Sequence, residues 1–210
     1  MDALSNTTSY VYDDRNRVTS KTLPDPDGTG GSLAAPVSTY TYDAVGNLTG
    51  EGQTMYGNTI THQYDAYGRR VQTDWGTISG GTKKHDEWKF DVLGRMTRYE
   101  NSFYEYGSAG EYETYEYDSR GRMTKHTGHD PDGVGSQTGA FETFTYNAAG
   151  QPASHVDFLG NSTSYTYTTA GWLNSTTLPD PDGTGPLYAP IYTYGYDALG
   201  NNTSTTDPNK

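Results

Sequence analysis

Aromatic residues recur two positions apart along the chain, and a polar turn follows each pair. In the clearest example Tyr115 and Tyr117 precede Asp118, and Gly121 comes three positions later. Residues two apart in a β-strand lie on one face of the sheet. Asp favours the first position of a type I turn, and Gly accepts the positive φ that closes such a hairpin loop. The pattern therefore predicts a β-hairpin with its aromatic pair on one face.

The hairpin pattern occurs about eight times in the 210 residues, which indicates a repeat architecture. The aromatic residues that we predict to form the structural face of the repeat are Tyr10, Tyr12, Tyr40, Tyr42, Tyr64, Trp88, Phe90, Tyr115, Tyr117, Phe144, Tyr146, Tyr165, Tyr167, Tyr194 and Tyr196. The predicted turn residues are Asp13, Asp43, Asp65, Asp91, Asp118 and Asp197 together with Gly46, Gly68, Gly94, Gly121, Gly150, Gly171 and Gly200. Asn16 replaces one turn glycine, and Asn147 and Thr168 replace turn aspartates, which suits residues that tolerate turn conformations.

A second kind of turn separates the copies. It contains Asp-Pro-Asp-Gly at residues 25–28, 130–133 and 180–183, where Pro presets φ and Gly ends a type I turn. Turns of the two kinds at alternate strand ends predict an antiparallel meander. No segment shows a 3.6-residue apolar period, so the predicted fold class is all-β.

The predicted array runs over residues 1–210 as a single domain of about eight hairpins, and it has the pattern of an excerpt from a longer array. About sixteen strands spaced roughly 4.8 Å apart would make a flat sheet on the order of 75 Å wide. Open sheets of that width twist or curl, so we expect a curved or spiralling, solenoid-like sheet.

Composition explains how such a sheet could be ordered. Only 31% of the residues are hydrophobic, but the chain contains 20 Tyr. A Tyr side chain buries a large ring and keeps its hydroxyl hydrogen-bonded, whereas disordered chains are poor in aromatic residues. We therefore expect an ordered sheet faced with tyrosine.

The net charge and the amino-acid composition argue against several classes of binding partner. The formal net charge is −12, and this argues against nucleic acid and anionic membranes, which attract basic surfaces. No apolar run approaches the roughly 20 residues needed to span a bilayer, and residues 1–6 lack the features of a signal peptide. The chain has 0 Cys, which excludes disulfides and thiol catalysis.

The motif Tyr-x-Tyr-Asp-x-x-Gly-Arg-x-Thr, followed by Asp-Pro-Asp-Gly, resembles the YD repeat of the Rhs family. That family includes Rhs toxins, the cocoon subunits of Tc toxins, teneurins and bacterial wall-associated proteins. The resemblance covers nearly the whole chain. It implies β-hairpins that wind into a continuous spiral sheet, often a hollow shell around cargo, and an extracellular or cell-surface location. The family's C-terminal core segment and a toxin tail are not found here, so the resemblance supports the hairpin array rather than encapsulation.

The charged residues and the potential metal ligands of the sequence are each explained by a structural role. The pairs four residues apart, in which Asp is expected to cap the turn and bind Arg, are Asp13/Arg17, Asp65/Arg69, Asp91/Arg95 and Asp118/Arg122. Asp-Pro-Asp-Gly offers too few oxygens for calcium. His126 and His129 have a zinc-like spacing but do not converge outside a helix, and His62, His85 and His155 are expected to fill a strand face or the surface. We predict no metal, no cofactor and no catalytic residue.

These observations predict a non-enzymatic structural scaffold, either a shell wall or a self-assembling fibre. Matching rings of successive strand pairs are expected to stack on each other, and exposed strand edges or the sheet face are expected to mediate self-association. The alternative is a carbohydrate-binding module with a glycan partner. Trp75 and Trp172, which lie outside the repeat rows, are its candidate ligand-binding residues.

Overall fold

The computed structural model describes residues 7–28, 31–54, 58–77, 83–104, 111–131, 138–183, 185 and 187–208. These residues form sixteen β-strands and no helix, which confirms the all-β fold class. Among them there is consequently no helix able to cross a membrane. The chain divides into two compact units, Met1–Tyr112 and Glu113–Lys210. That the repeats form a single array over residues 1–210 stays a prediction.

The first unit is an antiparallel meander in which each strand pairs with the next. Its strands are β1 (Ser9–Tyr12), β2 (Val18–Thr22), β3 (Val37–Tyr42), β4 (Leu48–Gln53), β5 (Asn58–Tyr64), β6 (Arg70–Thr77), β7 (Lys83–Phe90) and β8 (Met96–Tyr104).

The second unit has the same antiparallel order, and its first strand begins just before the boundary. Its strands are β9 (Glu111–Tyr117), β10 (Met123–Thr127), β11 (Phe141–Tyr146), β12 (Pro152–Val156), β13 (Ser162–Tyr167), β14 (Leu173–Thr177), β15 (Ile191–Tyr196) and β16 (Asn202–Thr206).

Every predicted hairpin has a shift of register beside its turn. In the first hairpin Val11 pairs with Ser20 but Tyr12 pairs with Val18, so one residue of β2 is passed over. The other seven hairpins show a shift at the same place. Bulges of this kind accompany a type I turn closed by a left-handed residue. The copies therefore present equivalent residues on equivalent faces.

The prediction that two kinds of turn alternate is wrong at one place. Asp157 and Gly160 form a tight turn of the first kind between β12 and β13, where the second kind of turn was expected. The amide of Gly160 donates to the carbonyl of Asp157 at 2.9 Å, and Gly160 has φ of 84°. Residues 157–160 have the sequence Asp-x-x-Gly, but no aromatic pair precedes them.

Neither unit has an apolar core of the usual kind. Among the described residues no hydrophobic side chain is fully buried, and the buried polar ones are His62, Thr73, His85 and Asp86. A single sheet layer leaves most side chains half-exposed. Cohesion must therefore come from contacts between neighbouring strands and hairpins.

Candidate functional site

The aspartate of each tight turn organises the turn through both carboxylate oxygens. In the hairpin of β9 and β10, Oδ1 of Asp118 accepts from the amides of Arg120 at 2.9 Å and Arg122 at 3.0 Å. Oδ2 accepts from Nε of Arg122 at 2.8 Å and lies 2.6 Å from its Nη2. Gly121 has φ of 83°, a conformation that costs an L-residue about 1–2 kcal/mol. Asp118 thus binds both the backbone amides of its own turn and the side chain of Arg122.

The same bonding recurs in other copies. Ion pairs of the predicted kind join Asp13 to Arg17, Asp65 to Arg69 and Asp91 to Arg95, each at 2.6 Å. Asn takes the place of Arg beside three further aspartates, in the pairs Asp43/Asn47, Asp157/Asn161 and Asp197/Asn201. The left-handed position of the first turn is filled by Asn16, with φ of 62°.

The turn geometry sets the pKa of these carboxyl groups. For Asp13 and Asp118 the hydrogen bond from the arginine side chain is the main reason that the pKa lies below its ordinary value. For Asp65 and Asp91 burial raises the pKa, but hydrogen bonds from the amide and side chain of the paired arginine outweigh it. The turn carboxylates are thus stabilised in their charged form.

The side chain four residues after the turn aspartate also reaches the next hairpin. The guanidinium carbon of Arg17 lies 4.5 Å from the centre of the Tyr42 ring. The Tyr42 hydroxyl donates at 2.8 Å to the carbonyl of Val18, the residue after Arg17. We call this pair of contacts the hairpin junction. In this junction Arg17 of one hairpin covers the ring of Tyr42 in the next, and the hydroxyl of that ring binds the backbone of the first hairpin.

The junction is repeated with small changes. Arg122 lies 4.2 Å from the Tyr146 ring centre, and the Tyr146 hydroxyl donates to the carbonyl of Met123 at 2.8 Å. Arg69 lies 4.5 Å from the ring of Phe90. A cation–π contact contributes about 0.5–1 kcal/mol and a hydrogen bond about 1 kcal/mol. Each complete junction is therefore worth on the order of 1–2 kcal/mol, and the effect accumulates with copy number.

The predicted stacking of matching rings is wrong at these junctions. Rings such as Tyr42 are covered by the arginine of the preceding hairpin rather than by its ring. Matching positions of successive hairpins are two strands, or about 9.6 Å, apart, whereas stacked rings have centres about 4.5–7 Å apart. Direct ring contacts occur at shorter separations, as between Trp88 and Tyr99 on paired strands, whose centres are 5.8 Å apart.

The turn glycine leaves room for the junction. A Cβ on Gly94 would lie 3.1 Å from Nη1 of Arg69, and a Cβ on Gly150 would lie 3.3 Å from Nη1 of Arg122. The residue is therefore constrained by its positive φ and also by the side chain that arrives from the preceding hairpin.

Trp172 occupies the arginine position of its own turn. Its half-buried ring packs on Tyr196, with centres 5.4 Å apart, and two indole atoms would lie within 3.0 Å of a Cβ on Gly200. Trp75, which is 37% exposed, donates from Nε1 to Asp86 at 3.0 Å. Each indole is engaged within its unit, and a sugar-binding role for either residue stays a prediction.

We expect Gly200→Ala to destabilise the protein more than Gly160→Ala. Both glycines have φ near 85°, at 87° and 84°, so backbone strain of about 1–2 kcal/mol is common to both changes. A Cβ on Gly200 would meet Trp172 at 2.9 Å, whereas nothing lies within 4 Å of one on Gly160. Urea unfolding followed by circular dichroism should show an additional loss of about 1 kcal/mol for Gly200→Ala. Equal losses would show that Trp172 does not pack against that turn.

A shallow groove lies where the arginine is replaced by Gln151. The groove has a volume of about 430 Å³ and is lined by Asn147, Gln151, Tyr165 and Tyr167 among others. Nε2 of Gln151 donates to the carbonyl of Gly171 at 2.6 Å. Burial, followed by the neighbouring Tyr165, raises the pKa of Tyr167. The groove thus lies at a junction in which an amide side chain takes the place of a guanidinium.

A cluster of buried polar side chains in the first unit lies on the face of the sheet that carries the repeat aromatic residues. Thr73, 1% exposed, contacts Nδ1 of His62 through its hydroxyl at 3.0 Å, and Nε2 of His62 lies 3.2 Å from Glu51. Asp86 accepts from Trp75 and, at 3.3 Å, from the hydroxyl of Tyr99. These side chains form hydrogen bonds with one another, which offsets the cost of burying their polar atoms.

A chain of alternating carboxylates and imidazoles crosses β9 to β12 in the second unit. His126 lies 3.1 Å from Glu113 through Nε2 and 3.0 Å from Glu142 through Nδ1, and Nε2 of His155 lies 2.8 Å from Glu142. A hydrogen bond from Tyr115 is the main cause that lowers the pKa of Glu113. Burial raises the pKa of Glu142, but hydrogen bonds from both histidines outweigh it and lower it overall.

Both histidines of this chain also stack on a ring of the paired strand. His126 stacks on Tyr115 with centres 4.6 Å apart, and His155 stacks on Phe144 with centres 4.7 Å apart. Phe158 of the additional tight turn packs edge-on against His126. The imidazoles therefore fill the aromatic face, as predicted for His155, and they do so through charge-assisted hydrogen bonds that the sequence analysis did not predict.

The fold and the junctions together define a protein of repeated β-hairpins that are joined by specific contacts between neighbouring copies. Residues 146–184 match the family described as RHS Repeat. The same hairpin recurs on both sides of the matched segment. No curated protein sequence matches the chain.

Solved structures similar to the chain are Tc toxin assemblies. One is the Photorhabdus luminescens Tc holotoxin pore, with 15% identity and a TM-score of 0.37 over 97% of this chain and 13% of that one. Another is the TcdB2–TccC3–Cdc42 structure, with 14% identity and a TM-score of 0.34 over 96% of this chain and 15% of that one. The chain thus spans about one seventh of the length of the solved chains that it matches.

Proposed function

We propose that this chain is a non-enzymatic structural scaffold, a segment of an extracellular or cell-surface wall or fibre built from Rhs/YD hairpins. The supporting observation is the hairpin junction. The side chains that recur most regularly, the turn aspartates, the arginines and the second aromatic residues, bind one another. Groups consumed by contacts between copies serve cohesion rather than chemistry, since catalysis needs groups directed at a substrate.

The strands at the two ends of the repeat support self-association. All residues of β1 and of β16 are exposed, and each of these strands pairs with one neighbour among the described residues. An unpaired strand edge offers amides and carbonyls to another chain. The scaffold therefore extends by strand pairing between copies, which gives a fibre or a wall.

We expect charges placed on the end strands to weaken self-association. Lysine on an edge strand opposes edge-to-edge pairing, so the double variant Val11→Lys with Ser204→Lys should remain smaller than the wild type. Multi-angle light scattering at increasing protein concentration measures the effect, and electron microscopy reports whether fibres form. We expect the molar mass of the wild type to increase with protein concentration and that of the edge variant to change little.

The matched control carries the same two added charges away from the ends. Thr59→Lys and Ser164→Lys change exposed positions in the interior strands β5 and β13. This control should associate as the wild type does. A wild type that stays strictly monomeric at high concentration, or a control that is as impaired as the edge variant, would contradict association through the strand edges.

A further inference from the structure

Three potential metal ligands lie together on one face of the hairpin formed by β7 and β8. His85 and Glu87 alternate along β7 with Asp86 and Trp88, so the two pairs lie on opposite faces. Glu100 of β8 lies directly opposite Glu87 in the register. The three side chains are consequently neighbours on the face opposite to the repeat aromatics.

The potential ligand atoms of the three residues converge. One atom each from His85, Glu87 and Glu100 can be chosen so that all lie within 4.8 Å of one another. Nε2 of His85 is 4.0 Å from Oε1 of Glu100, and these side chains are only 10% and 13% exposed. Among the described residues this is the one group of three or more such side chains that converges in this way.

Each of the two carboxylates also forms an ion pair with a cation outside the group. Arg98 contacts Oε2 of Glu100 at 2.7 Å, whereas His85 faces Oε1 of the same carboxylate. Lys89 contacts Oε1 of Glu87 at 3.3 Å from the side nearer the turn. Carboxylates directly opposite each other in a sheet repel, and the two cations offset this repulsion from outside the group.

We propose that His85, Glu87 and Glu100 bind a divalent transition-metal ion of the Zn²⁺ class. One imidazole nitrogen with two carboxylate oxygens is a ligand set that such ions accept, with further positions filled by water. Small rotations of the two glutamate side chains bring the ligand atoms to the roughly 2.0–2.2 Å bonds that zinc requires. The bound ion neutralises the facing carboxylates and ties β7 to β8.

The histidine–carboxylate chain of the second unit provides a comparison. There His126 contacts a different glutamate through each ring nitrogen, so its ligand atoms are spread along a line instead of facing one point. His155 likewise has a glutamate at 2.8 Å. Both units therefore contain histidine close to glutamate. The proposed site differs in that three potential ligands converge, and the test must depend on this difference.

The test is a Zn²⁺ titration of the full chain, read by competition with a chromophoric chelator and by the shift of the thermal midpoint. The variants His85→Asn, Glu87→Gln and Glu100→Gln each remove one ligand, and His155→Asn is the control. We expect one tight equivalent per chain, weakened about tenfold or more by each ligand variant and changed less than twofold by the control. Substitution by Co²⁺ should give the visible bands of nitrogen and oxygen ligation.

Melting of every variant in the presence of a chelator separates metal binding from folding. Glu87 is the most exposed of the three ligands, so Glu87→Gln keeps the proposal testable even if His85→Asn fails to fold. No saturable Zn²⁺ binding by the wild type, or wild-type affinity in Glu87→Gln, would overturn the site. An equal loss in His155→Asn would overturn it as well.

Discussion

Replacement of Asp86 by alanine is expected to destabilise the first unit by about 3 kcal/mol. The carboxylate is 7% exposed, accepts from Trp75 at 3.0 Å and Tyr99 at 3.3 Å, and lies 3.9 Å from Nζ of Lys84. Alanine removes this acceptor from both donors at once, and such a loss costs about 1–3 kcal/mol per buried group. The free energy of unfolding from urea titrations, followed by tryptophan fluorescence, measures the change.

Asp14→Ala is the matched control for this prediction. Asp14 lies exposed in the first tight turn, so the change alters charge equally without removing a buried acceptor. Its expected effect is within about 0.5 kcal/mol. If Asp86→Ala is no more harmful than Asp14→Ala, the buried polar group does not hold the strands β6 to β8 together.

Stability is expected to fall steeply in acid, because many carboxyl groups titrate together. The aspartates of turns and loops whose pKa lies below its ordinary value are Asp13, Asp27, Asp43, Asp65, Asp91, Asp118, Asp157 and Asp197. Glu113 and Glu142 are lowered as well. A lowered pKa in the folded state means that the unfolded chain binds protons first as the pH falls.

The sign of the effect follows directly. The stabilisation is fully present above the unfolded pKa values of about 4 and is lost as the pH falls through the lower folded values. Urea unfolding between pH 7 and pH 3 should show a lower midpoint at each step below about pH 4. Asp118→Asn, which imitates the natural Asn147, should be less stable at pH 7 but depend less on pH. Constant stability down to pH 3 would contradict the turn bonding described here.

The hairpins could be predicted from the sequence because their determinants are local. Asp118 binds amides two and four residues away, so the whole turn is contained in one short motif. Strand alternation is equally local, and it is the basis for the prediction that Tyr115 and Tyr117 share one face. The additional turn at Asp157 was not predicted, because no aromatic pair precedes it.

The junctions could not be predicted in the same way, since they join residues that are distant in sequence. Arg17 and Tyr42 are brought together by pairing of β2 with β3, and nothing in either motif states which side chain covers the ring. The buried polar groups share this difficulty. A period-2 extension of the aromatic rows does reach Asp86, two residues before Trp88, and Glu142, two residues before Phe144, and this signal could have identified them.

The connections between successive hairpins differ widely in length. A connection of 14 residues joins β2 to β3, and a tight turn of 5 joins β12 to β13, as the strand bounds Thr22, Val37, Val156 and Ser162 show. Both connections deliver the next hairpin in the same alignment, with Thr22 opposite Val37 and Val156 opposite Ser162. Peptides can therefore be lengthened or grafted in these connections while the paired strands keep their register.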